Sequence, residues 1–188
     1  MDENETKPTV LFVEGEPTLR TLYEEWYSAA VGVPTAADAD AALAADERDY
    51  DAVLTERRLP DATGREIIAG VGEDRFTGFV TSATPDFDLV AAPVDVYLRK
   101  PISREQFRAT VERFDALASR SPEVRTFAAL AEKRRALRAA TSRRARRSSE
   151  AFDRLESRFE TLRDRHAEAV EDVPSPTVGR KAESNSSV

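Results

Sequence analysis

The chain has 188 residues, no cysteine and a single histidine, His166. Disulfides, thiolate metal sites and histidine-cluster metal sites are therefore excluded. The formal net charge of −7 is uneven: residues 1–118 carry 24 acids against 12 bases, and residues 119–188 carry 11 against 16.

No run reaches the length of about 18 apolar residues that a membrane span needs. The acidic N-terminus MDENETKPT lacks the apolar core of a signal peptide, so the expected location is the cytoplasm. Abundant acids with few lysines suit a high-salt environment. A first unit of about 120 residues is long enough for a real core, whereas the remainder is marginal as a separate globule.

Thr9–Val13 (TVLFV) is a continuous apolar run, as in a strand buried on both faces. Pro17 suits a first helical turn, and Leu19, Leu22, Tyr23, Trp26 and Ala30 then recur on one face. Val33–Thr35 reads as a short second strand, and Asp38–Ala45 as a helix with acids in its first turn. Tyr50–Thr55 is a third strand. Thr63–Val71 is a helix with Ile67, Ile68 and Val71 inward, its end weakened by Gly70 and Gly72. Phe76–Thr81 is a fourth strand, Pro85–Ala91 a short helix and Asp95–Leu98 a fifth strand. Ser103 caps a last helix lined by Phe107, Val111, Phe114 and Leu117.

This alternation predicts an open parallel sheet with helices on both faces. Chemistry in such a sheet sits at the carboxyl ends of the strands. Those ends carry Glu14, Gly15 and Glu16, then Glu56, then Thr81 and Ser82, then Lys100. A set of this kind can hold a divalent cation on carboxylates and bind phosphoryl oxygens through the lysine and the hydroxyl.

The second part differs. Phe127–Ala140 has a helical stripe of Phe127, Leu130 and Leu137. The basic run KRRALRAATSRRARR, residues 133–147, follows with Lys133, Arg134, Arg135, Arg138, Arg143, Arg144, Arg146 and Arg147 and no acid. Phe152, Leu155, Phe159, Leu162, His166 and Ala169 then form a heptad-like seam out of register with Leu137. Either a helical hairpin or one long helix with two faces is expected. Residues 172–188 read as a disordered tail and residues 1–8 as a flexible start.

The order of VLFVEGEP, VLTERRLPDATG, VTSATPDFDLV and DVYLRKP resembles the receiver domain of two-component response regulators. The runs ERRLP, TPDFD, YLRKPISRE and FAALAEKRRAL are similar to haloarchaeal receiver proteins with a C-terminal HalX domain. The resemblance implies a flavodoxin-like (βα)5 domain at residues 9–118, then a HalX-like helical hairpin or coiled coil at residues 122–171. It implies that Glu56 stands at the phospho-acceptor position and that Glu14, Gly15 and Glu16 stand at the acidic pocket. It also makes Thr81 the switch hydroxyl, Tyr97 the switch aromatic and Lys100 the phosphate-sensing lysine.

The departures decide the expectation. Glu14 stands where Asp is usual, Gly15 brings no ligand, and Glu56 replaces the acceptor Asp. A site lacking a carboxylate holds Mg²⁺ poorly, so no metal or cofactor is expected beyond weak Mg²⁺ at Glu14 and Glu56. Misplacing the attacking oxygen by about an ångström costs about 10²-fold. The expected protein is a degenerate, non-enzymatic receiver that acts through protein contacts. Its partner is a sensor kinase or another regulator, and its output bears on transcription. A vestigial Lys100–Glu56 ion pair is one reading; partial mimicry of a phosphorylated Asp by Glu56 is another. The alternatives are a phosphorylatable regulator, DNA contact through residues 133–147, and a homodimer through Phe152, Leu155, Phe159 and Leu162.

Overall fold

The computed structural model of the chain describes residues 8–27, 35–45, 50–71, 75–171 and 173. Five strands form one sheet: β1 (Val10–Val13), β2 (Thr35–Ala36), β3 (Ala52–Thr55), β4 (Phe76–Thr81) and β5 (Val96–Arg99). All neighbours are parallel, in the order β2-β1-β3-β4-β5. This is the flavodoxin-like arrangement, with its switch point between β1 and β3. Every residue of β1, β3 and β4 is buried, which explains why these strands are apolar runs without alternation. Gly78 is needed inside β4, because a Cβ there would collide with Val96 and Leu54.

The flanking helices are α1 (Pro17–Tyr27), α2 (Ala39–Ala44), α3 (Gly64–Gly70) and α4 (Arg104–Ala118), with a 3₁₀-helix at Phe87–Ala91. Their starts are set by side chains. Asp38 caps α2, and Thr63 and Ser103 form capping boxes with Glu66 and Gln106. One face of the sheet packs Phe12, Leu54 and Val96 against Tyr23, Phe107 and Phe114. The other packs Leu11, Val13 and Val53 against Ala39, Ala42 and Ile67.

The C-terminal part is a hairpin. It consists of α5 (Pro122–Ala140), the short α6 (Arg143–Arg147), α7 (Glu150–Arg165) and α8 (Ala167–Glu171). Ser121, Ser142 and Ser149 each cap the helix that follows, so the chain stops and restarts within the basic run. Phe127 stacks on Phe159 with ring centroids 4.7 Å apart, and Arg134 and Arg138 both reach Glu156. These pairings make α5 and α7 antiparallel and exclude the single long helix.

The hairpin lies on the receiver-like unit. Leu130, Leu137, Phe152 and Leu155 share a core with Phe79, Leu89 and Tyr97, and α5 packs beside the edge strand β5. Each buried aromatic or leucine there is worth on the order of 2 kcal/mol. Lys133 Nζ donates to the Ala92 carbonyl (2.5 Å) and Arg113 to that of Ala128 (3.0 Å), which ties the two parts in both directions.

Several expectations are corrected. The Phe152, Leu155, Phe159 and Leu162 seam is not an open dimer face, because all four pack into the chain's own core. His166 ends α7 as its C-cap rather than continuing a seam. Helix α5 begins at Pro122, five residues before the helical pattern read at Phe127–Ala140. The second strand falls at Thr35–Ala36; Val33, like Ala30 and Gly72, lies outside the described residues. The flexible start and the tail also lie outside them, apart from Pro8 and from Val173, which packs against the core.

Candidate functional site

The sheet brings its carboxyl-end residues together. Glu14 follows β1, Glu56 follows β3 and Lys100 follows β5. Each continues the strand ladder by one bond: Glu14 N–H to Ala36 O (3.0 Å), Glu56 N–H to Val13 O (2.9 Å) and Lys100 N–H to Thr81 O (2.9 Å). Their side chains therefore start from fixed points at one edge.

Lys100 Nζ bridges the two acids. It donates to Glu14 Oε2 (2.5 Å) and Glu56 Oε2 (2.8 Å). Side-chain exposure is only 13% for Lys100, 4% for Glu14 and 15% for Glu56, so these are charge-assisted bonds in a mostly dry site. The second oxygens are also engaged: Glu14 Oε1 accepts from the Glu16 N–H (3.2 Å) and Glu56 Oε1 from the Arg57 N–H (2.7 Å). Burial pulls the Lys100 ammonium down, but the hydrogen bonds and charges of Glu14 and Glu56 outweigh it, and its pKa is raised. Nearby, burial pushes the Tyr23 hydroxyl up to about 12.

The other acidic-pocket positions contribute no carboxylate. Gly15 has no side chain, although a Cβ there would meet Pro60 at an ordinary 3.6 Å. Glu16 is exposed and accepts from the Thr18 N–H (3.4 Å), at the start of α1. The sequence reading missed Arg20, which returns from α1 to the carbonyls of Glu14 (2.6 Å) and Gly15 (3.0 Å). Its place one turn into α1 was the only available signal.

The fold family implies Mg²⁺ at this edge. Two carboxylates remain, both already bonded to one ammonium. Among the described residues no group of three or more His, Cys, Asp or Glu is arranged to hold a metal. Mg²⁺ requires close octahedral oxygen geometry, and this donor set does not fit it.

Thr81 and Tyr97 meet on one loop. The buried Thr81 Oγ1 accepts from the Ala83 N–H (3.3 Å), and the buried Tyr97 hydroxyl donates to Ala83 O (2.9 Å). Tyr97 stands edge-on to Phe79, and burial raises its pKa against a hydrogen bond from Arg57. Ser82 is exposed. Arg57, beside Glu56, pairs with Asp88 in the 3₁₀-helix. Phe87 of that helix stands edge-on to Phe152 of α7.

The basic run is not one face. Lys133 is buried, Arg135 pairs with the fully buried Glu132, Arg134 and Arg138 pair with Glu156, and Arg146 donates to the Thr141 carbonyl. Only Arg143, Arg144 and Arg147 are exposed with no side-chain partner among the described residues.

Comparison with known proteins agrees with this architecture. Residues 121–179 match the HalX domain family. Over 173 residues the chain is 30% identical to a putative transcriptional regulator of Haloferax volcanii, covering 90% of this chain and 30% of that protein. The chain thus spans under a third of the length of that curated relative.

Among solved structures, the non-phosphorylated HemR receiver domain of Leptospira biflexa is 25% identical (TM-score 0.52), covering 59% of this chain and 96% of its own. The chemotaxis protein CheY4 of Vibrio cholerae is 24% identical (TM-score 0.52; 57% and 98% covered). The response regulator TrrA of Thermotoga maritima, solved with Mg²⁺–BeF, is 23% identical (TM-score 0.51; 57% and 98%). The chain has a receiver-domain-like fold followed by a helical part whose residues 121–179 match the HalX domain family. It is related to a haloarchaeal putative transcriptional regulator.

No helix among the described residues is long and apolar enough to cross a membrane.

Proposed function

We propose that the chain is a degenerate receiver in two-component signalling that works without phosphorylation and without catalysing a reaction, through protein contacts and its own HalX hairpin. One observation carries this reading: the Lys100 ammonium is held between Glu14 and Glu56. Accepting a phosphoryl group with Mg²⁺ requires Lys100 to leave both carboxylates. Breaking a buried pair costs about 3–5 kcal/mol, and Gly15 supplies no ligand in return. The internal bridge takes the place of the external signal.

The bridge also lies beside an output. Thr81 and Tyr97 both hold Ala83, Arg57 reaches Asp88, and Phe87 meets Phe152 on α7. A signalling partner, either a sensor kinase or another regulator, acts by shifting the docking of the hairpin on this segment.

The test is a Mg²⁺ titration followed by NMR, with and without beryllofluoride. The amides of Glu56, Thr81 and Lys100 are expected to stay still. Saturable shifts there, together with an acyl phosphate from acetyl phosphate that is lost in Glu56→Ala, would overturn the proposal.

A second reading concerns transcription. Arg143, Arg144 and Arg147 are exposed at the hairpin tip with no side-chain partner among the described residues, and the relative's description as a putative transcriptional regulator supports contact with DNA phosphates. Such binding must weaken steeply with salt and vanish when the three arginines are neutralised.

A further inference from the structure

A second site lies at the opposite end of the strands. A cleft of about 800 Å³ opens between the receiver-like unit and the hairpin, against the amino ends of β4 and β5. That volume and that interdomain position suit a small ligand. Among the described residues its lining carries four cations, Arg75, Arg125, Lys133 and Arg158, and one acid, Asp95. Asp95 is itself tied to the Thr77 N–H (2.8 Å).

The cations are held from both parts. Arg75 donates to the carbonyls of Tyr50 (3.3 Å) and Val71 (2.8 Å). Arg125 lies over the Phe76 ring at 4.3 Å. Arg158 is exposed on α7 and has no ion pair among the described residues. Lys133 is buried, and burial, reinforced by the charges of Arg158 and Arg65, lowers its pKa to about 8 despite Asp95. The start of α5 at Pro122 borders the same cleft, and the N-terminus of a 19-residue helix adds partial positive charge. The remaining wall is apolar, with Ile68, Val94 and Leu130.

We infer that this cleft binds a small organic phosphate, with the phosphate between Arg158, Arg125 and Lys133 and the apolar body against Ile68, Val94 and Leu130. Phosphate fits better than a single carboxylate because cations converge from several elements, and guanidinium groups present paired donors that match phosphoryl oxygens. Bound there, the ligand touches both domains and lies beside the Lys133–Ala92 bond that joins them.

The test uses the full chain, in KCl at which circular dichroism shows it folded, titrated with pyrophosphate and with AMP by NMR. Saturable shifts of the Thr77, Asp95 and Arg125 amides with either probe are expected. Arg158→Ala, an exposed change that leaves the fold intact, should weaken binding about tenfold, the value of one charge-assisted hydrogen bond. Arg144→Ala at the hairpin tip should leave binding unchanged. Silence with both probes overturns the site. So do shifts confined to residues 143–147, or binding that survives Arg158→Ala undiminished.

Discussion

Replacing Lys100 by Met tests the bridged pocket most directly. The substitution keeps the length of the side chain and removes its charge. Glu14 and Glu56 then face each other in a site where their side chains are 4% and 15% exposed. Each keeps one backbone donor, from Glu16 and Arg57, so neither is stripped of partners. Removing one partner of a buried ion pair costs about 3–5 kcal/mol, and the partial exposure and the backbone donors hold the figure toward the lower end. The expected loss is therefore about 3–4 kcal/mol at pH 7.

On the alkaline side the raised Lys100 pKa means that its contribution in the parent stays complete below the ordinary 10.5. It fades only as pH climbs through the higher folded value. Urea unfolding at several pH values measures the difference, and Lys100→Met/Glu56→Gln should recover most of it. A loss under about 0.5 kcal/mol, or one that does not change with pH, would refute a buried, charge-coupled pocket.

Phe152→Ala should destabilise the chain by about 3–5 kcal/mol, and limited trypsin digestion should cut first within residues 133–147 as the hairpin lifts. Lys133 gives the opposite pH sign to Lys100. Its pKa is depressed to about 8 from 10.5, so the unfolded chain holds that proton longer than the folded one. Its charge therefore opposes folding fully below pH 8, and stability rises by about 1.4 kcal/mol per unit from there to 10.5. Thermal melts should show that rise in the parent and not in Lys133→Met. Ser121→Ala removes the cap bonded to the Val124 N–H and should cost about 1 kcal/mol in denaturant unfolding.

The strands were legible because they are buried on both faces, which leaves runs such as TVLFV and FTGFVT with no competing helical period. The cap Ser103 was legible because the hydroxyl that starts a helix lies next to it in sequence, whereas Asp38 and Thr63, read as part of their helices, stand just before them as caps. The convergence of Glu14, Glu56, Thr81 and Lys100 followed from topology alone, since parallel strands deliver their carboxyl ends to one edge. What Lys100 bonds was not fully legible: its choice of both carboxylates depends on a reach across three strands.

Ser121-Pro122 was a local signal for the start of α5 and went unread, since the stripe begins only at Phe127. The seam from Phe152 failed for a different reason. A heptad-like face states that something apolar covers it, and here the cover is the chain's own α5, Phe87 and Leu89. Nothing local marks Lys133 as buried, because the carbonyl it bonds, that of Ala92, lies 41 residues away.

The acidic pocket and the basic cleft lie at opposite ends of β4 and β5, yet the same hairpin meets both. At the carboxyl end, Thr81 and Tyr97 both bond Ala83, Arg57 reaches Asp88 in the 3₁₀-helix, and Phe87 of that helix meets Phe152. At the amino end, Lys133 joins Ala92, the residue that closes that same 3₁₀-helix. The five-residue 3₁₀-helix is therefore held at both ends, by Arg57 and Phe152 at one and by Lys133 at the other. An element so short has little internal stability of its own, and its position is set by what holds its ends. Coupling between two sites requires an element that both of them touch, and Phe87–Ala91 is contacted from both ends. That short segment connects the carboxyl edge of the sheet, through Arg57 and Asp88, to the hairpin packed upon it, through Phe87 and Phe152.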